Sequence, residues 1–198
     1  MNMTLTAESA LRFALASDLG SFVHKVFQTV SPGDQYRHNW HIDAITHQLM
    51  RVHSGDNRRL IITQPPRSLK SICTSVAFVA WALGHDRRLR FACVSYSSEL
   101  AAQFARQFRA VVSSSWYRAL FPGMPLLRET ETECLTTKGG ARIAVSVGGT
   151  FTGRGAELAR LDAALEEAGE RPRTVVISAV LGTAGVGKTP LAVAWGGG

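Results

Sequence analysis

Two segments of this chain have residue types that could hold a phosphate chain. The sharper is Gly182-Thr183-Ala184-Gly185-Val186-Gly187-Lys188-Thr189, after the apolar run Val175-Val176-Ile177. Gly182, Gly185 and Gly187 let the backbone curl so that its amides converge on an anion. Lys188 can then reach the β and γ phosphates of a nucleotide, and the Thr189 hydroxyl can ligate magnesium. A helix starting there presents its positive end to the same phosphates. Pro190 removes one amide donor, although its fixed φ suits a first helical turn.

The second segment is Gln64-Pro65-Pro66-Arg67-Ser68-Leu69-Lys70-Ser71, after Leu60-Ile61-Ile62. Lys70 supplies a cation and Ser71 a hydroxyl at the expected start of a helix. Arg67 adds a bidentate phosphate donor, and Ser68 adds a further hydroxyl. Against this, Leu69 stands where a glycine normally precedes the lysine, and two prolines remove amides. On its own pattern the segment reads as an ordinary strand-to-helix turn.

Binding a nucleotide is less than hydrolysing it, which also needs a carboxylate for the metal and a group to position water. Asp162 and Glu166 stand four apart in an Ala/Leu/Glu-rich stretch, a spacing that reads as a solvated helix face. The six histidines show no ligand pattern and read as surface or cap residues. Ser113-Ser114-Ser115 reads as a loop, without the glycines of a nucleophile elbow.

The elements that must position the two loops are legible from periodicity. Leu11, Leu15, Leu19, Phe22, Val23 and Val26 recur at helical spacing over residues 7–30, ended by Ser31-Pro32-Gly33. A second helix is expected over 42–52. A buried strand is expected over 59–63, the Lys70 loop next, and an apolar helix over 71–83 capped by Gly84. A buried strand over 90–95 and a helix over 98–112 follow. A hairpin is expected from 133–137 and 141–147 around Lys138-Gly139-Gly140. Residues 148–155 read as a glycine-rich loop, 156–168 as an amphipathic helix and 173–180 as a strand. Strands alternating with helices predict an α/β fold.

Composition narrows the class. The 198 residues suffice for one core or two small domains. No apolar run approaches the length of a membrane span and no secretory signal is evident, so a cytoplasmic protein without a membrane partner is expected. Cys73, Cys93 and Cys134 lack metal-ligand spacing and read as reduced thiols. The net charge of +7 is unevenly placed: residues 1–153 carry 17 Lys and Arg against 10 Asp and Glu, and residues 154–198 five against five. A basic segment suits either a polyanionic partner or a merely soluble surface.

Residues 153–195, from Gly153-Arg154-Gly155-Ala156-Glu157-Leu158 through the Lys188 loop, resemble the start of the NB-ARC ATPase module of actinobacterial transcriptional regulators. The match covers the first strand, loop and helix only. That resemblance implies a regulatory nucleotide switch.

Residues 22–154 resemble the ATPase half of phage terminase large subunits. The matching stretches, in order, are Trp40-His41-Ile42, Arg59 to Ile62, Pro65 to Ser71, Ser75 to Phe78, Val94 to Ser97, Trp116 to Gly123, Thr137 to Gly140 and Ser146 to Gly155. This resemblance implies that the Pro-Pro-Arg loop is a deviant Walker A, with Lys70 and Ser71 on phosphate and magnesium and Arg67 assisting. It also implies an adenine contact near His41, where the family commonly has glutamine, and a phosphate-sensing role for Arg154, which could equally be a loop arginine. The activity that the resemblance implies is ATP-driven translocation of double-stranded DNA, with a small terminase subunit and a portal as partners in the host cytoplasm.

The departures matter as much. After Gly155 that family continues into a strand ending in paired aspartates, the Walker B element, and then a catalytic glutamate; here Glu157 to Leu161 begin a helix pattern instead. The expectation is therefore an incomplete P-loop NTPase of the RecA/ASCE type, a parallel sheet with flanking helices. Residues 1–154 would be a terminase-like core truncated before Walker B, and 155–198 a truncated NB-ARC-like tail. ATP and Mg2+ are the expected ligands, with weak or absent hydrolysis. An inactive fusion is the remaining alternative. The strand over 173–180 is expected to take the sheet place of the missing Walker B strand.

Overall fold

A computed structural model describes residues 6–95, 97–124, 130, 132–146 and the backbone of 126–129 and 174–179. In chain order its elements begin with α1 (Ala7–Ser17), α2 (Leu19–Val30) and α3 (Trp40–Ser54). A continuous helical run follows: α4 (Lys70–Ile72), a π-helical segment (Cys73–Ala77) and α5 (Phe78–His85). Next come β1 (Arg90–Ser95), α6 (Ser98–Ser113), α7 (Ser115–Leu120), β2 (Leu126–Glu129), β3 (Glu133–Thr136), β4 (Ala141–Ser146) and β5 (Thr174–Ala179). None of the described helices is long and apolar enough to cross a membrane.

The five strands form one mixed sheet in the order β2-β3-β4-β1-β5. β1 runs parallel to both β4 and β5, while β2, β3 and β4 pair antiparallel. The β3–β4 hairpin is the one expected, with Gly139 at φ 84° in its turn, a conformation glycine adopts without steric cost. The strand expected over 173–180 joins the sheet beside β1. The expectation of a parallel sheet is met by β4, β1 and β5 alone.

Register sorts the sheet's two faces. Phe91 and Cys93 lie opposite Arg142 and Ala144, and Phe91 and Cys93 belong to the main core with the helices. Ala92, Val94 and Val145 form a separate small cluster on the other face. The main core gathers Phe22, Val23 and Val26 of α2, Ile42, Ile45 and Leu49 of α3, Cys73 and Val76–Leu83, and Phe108 and Val111 of α6. Every residue from Cys73 to Leu83 is buried, as befits a helix enclosed by other elements.

Three local expectations are corrected. The helix over 7–30 is two helices, broken at Asp18 (φ −119°, ψ 115°). The Asp18 carboxylate accepts from the Ser21 backbone N–H at 2.6 Å and caps α2. Burial acts to raise its pKa, yet the hydrogen bonds from Ser21 and Gly20 hold it below the ordinary carboxylate value. Leu11, which the helical spacing placed on the apolar side, is 53% exposed.

Gly84, expected as a helix cap, lies inside α5, which runs on to His85. A Cβ there would stand 2.5 Å from the Phe121 ring, so glycine serves close packing and not termination. Residues 59–63 form no strand at all.

Candidate functional site

The segment leading into the Lys70 loop is extended but belongs to no ladder. Ile61 is 89% exposed, against the burial that a central strand would give it. Both edges of β1 are taken, by β4 and β5. Pro65 and Pro66, which carry no N–H, prevent any pairing from extending toward the loop.

The loop itself is built from two non-glycine residues in left-handed conformation, Arg67 (φ 64°) and Leu69 (φ 58°, ψ 5°). Each such residue costs about 1–2 kcal/mol relative to ordinary backbone. Leu69 offsets part of that cost by packing against the main core. It occupies the position where phosphate loops usually carry glycine and adopts the conformation glycine would favour there. Lys70 follows as the first helical residue. A left-handed residue followed by a right-handed one turns successive amides toward one side, the geometry of an anion-binding nest.

Beyond the loop the chain stays helical for sixteen residues, Lys70 to His85, with a π turn at Cys73–Ala77 marked by the Phe78 N–H bonding to the Cys73 carbonyl. The Thr74 hydroxyl donates to the Lys70 carbonyl at 3.0 Å. Burial pushes the Cys73 thiol up to about 12, so it stays protonated at neutral pH.

His41, from the first turn of α3, reaches the loop. Its Nε2 donates to the Ser68 carbonyl at 3.2 Å, across 27 positions of sequence. Trp40 beside it is 73% exposed. The Ser68 hydroxyl is buried and has no hydrogen-bond partner among the described residues. The two ion pairs among the described residues are His38–Asp43 and Arg88–Asp86, both 3.0 Å, and neither involves Arg67 or Lys70. The loop therefore combines a left-handed turn, two cations without an acidic partner among the described residues, and an orphan hydroxyl. That donor set fits a phosphate group.

The structure thus brings together His41, Arg67, Ser68, Lys70 and Ser71. Arg154, Gly182, Gly185, Gly187, Lys188 and Thr189 lie outside the described residues, as do Asp162 and Glu166. Among the described residues, no three side chains of His, Cys, Asp or Glu gather as a metal site. A magnesium ion held by one loop hydroxyl and by nucleotide oxygens would require no such cluster.

Sequence reading overlooked Arg142. It lies in β4, 2% exposed, with its guanidinium 5.1 Å from the Phe108 ring centre. Its Nε and Nη2 have no hydrogen-bond partner among the described residues. Burial pushes the neighbouring Cys93 thiol up, an effect Arg142 opposes. An arginine alternating with apolar residues in a strand pattern was the available signal.

Comparison of the chain with protein-family models, with curated proteins and with solved structures finds no match.

Proposed function

We propose that the chain is a nucleotide-binding domain of the P-loop NTPase class that holds ATP and Mg2+ at the Lys70 loop. The observation that carries this is Leu69, a non-glycine residue held left-handed immediately before a lysine that opens a helix. Strain of this kind clusters at ligand clamps. Lys70 would meet the β and γ phosphates, Ser71 the magnesium, and Arg67 a further phosphate oxygen. The bound magnesium would supply charge neutralisation between phosphates. By its resemblance to terminase large subunits, the domain would belong to a motor acting on double-stranded DNA, with a small subunit and a portal as partners.

A second reading has its own support. β5, the strand before the Lys188 loop, lies parallel to β1 in the sheet. Open α/β sheets bind ligands beyond the carboxyl ends of their strands. The tail would then be the working site, a regulatory switch of the NB-ARC kind.

The experiment is magnesium-dependent ATP binding by the full chain beside its Lys70→Ala and Lys188→Ala variants. Loss in Lys70→Ala alone is expected. Loss in Lys188→Ala alone would transfer the site to the tail, and no binding by the parent chain would overturn both readings.

A further inference from the structure

We propose that His41 is a positioning residue of the Lys70 loop, acting on its backbone and not on a nucleotide base. The inference rests on the reading of that loop as a phosphate site. Ser68 lies between the two left-handed residues, Arg67 and Leu69. Its carbonyl is therefore the point at which the kinked backbone can be held or released. The bond from His41 Nε2 reaches that carbonyl from a different element.

The clamp has a firm mounting. Ile42 and Ile45, in the same turns of α3, are buried in the main core. The loop, by contrast, has little to hold it from its own side. No ladder strand leads into it, it contains no glycine, and Pro65 and Pro66 have no amide to donate. Leu69 is held by its packing on the core and by the Cys73 N–H on its carbonyl at 2.9 Å, but the Ser68 carbonyl between the two left-handed residues is held by His41, and losing that bond lets the neighbouring amides turn away from the anion.

With Nε2 engaged by the loop, the effect of His41 falls on the phosphates. Removing it should weaken a ligand that has no base as much as one that has. Glutamine at this position could replace the bond, because its side-chain amide also donates.

The test titrates Mg·ATP and Mg·tripolyphosphate, which lacks base and sugar, into the full chain by calorimetry. A Lys188→Ala background ensures that only one loop is read, and melting temperature serves as the check on folding. His41→Ala is expected to weaken both ligands about tenfold, the effect of losing one hydrogen bond to an ordered carbonyl, with little change in melting. His41→Gln should recover most of both affinities.

Weaker ATP with unchanged tripolyphosphate would make His41 a base contact and overturn the inference. So would unchanged affinity for both, or a loss that His41→Gln does not restore. Failure of the site itself would look different: no binding by the background chain, or binding that a further Lys70→Ala leaves intact.

Discussion

Arg67 and Leu69 both stand in a conformation that costs an L-residue free energy, but they differ in what they receive for it. Leu69 packs on the core, whereas Arg67 is exposed. Arg67→Gly should therefore relieve strain with little loss of packing. We expect a gain of about 1 kcal/mol in stability, or about 2–4 °C in melting temperature for a chain of this size. On the proposed reading of the loop as a phosphate site, magnesium-dependent ATP affinity should fall in the same variant, because Arg67 would be one of its donors. A melting curve beside a binding titration checks both; a variant less stable than the parent would remove strain from the account.

His85 gives a pH prediction at the same scale. Burial lowers its pKa below the ordinary 6.5, against the opposing bond its Nε2 donates to the Ala16 carbonyl at 2.9 Å. The folded state thus prefers the neutral ring. Its contribution is fully present above pH 6.5 and is lost as pH falls through the lowered folded value, because the unfolded chain takes the proton first. Stability measured by denaturant between neutral and mildly acid pH should show this slope. His85→Gln should flatten it.

Among the elements, the helical run from Lys70 to His85 links the candidate site to the core. Its one glycine is a packing contact. Gly84→Ala would drive a methyl group into the Phe121 ring, which also lies 5.1 Å from Tyr117 and 6.3 Å from Phe22. We expect a loss of about 1–3 kcal/mol from overpacking, seen as a lower denaturant midpoint with an unchanged slope. Local rules assigned Gly84 to a cap because glycine often follows a helix. Phe121 overrides the rule from 37 positions away, and no local pattern announces it. The helix over 7–30 was misjudged for the opposite reason: its hydrophobic spacing continues across Asp18, while the side-chain cap that breaks it leaves no trace in that spacing. Residues 59–63 have the composition of a buried strand, yet a strand exists only where a neighbour offers its edge.

At the scale of the whole molecule, the sheet and the charge make separate statements. The sheet draws β5 from a segment far along the chain and seats it against β1. The charge excess sits in residues 1–153, which include the Lys70 loop. If that segment meets duplex DNA, binding should weaken steeply with salt. With about four phosphates contacted, affinity would fall about a hundredfold between ~50 and ~200 mM salt. A flat salt response, or no binding at low salt, would leave the charge as a solvated surface.

The sequence by itself determined the helices of the core, the strand at 90–95, the hairpin at 133–146 and the side-chain types offered at the Lys70 loop, because periodicity and side-chain type are local properties. Only the tertiary structure decided three other matters. It broke the first helix at Asp18, left residues 59–63 outside the sheet, and brought His41 to the Ser68 carbonyl. Each depends on which groups find partners across long stretches of chain, and that is set by packing and by the satisfaction of backbone hydrogen bonds, not by the residues at the position itself.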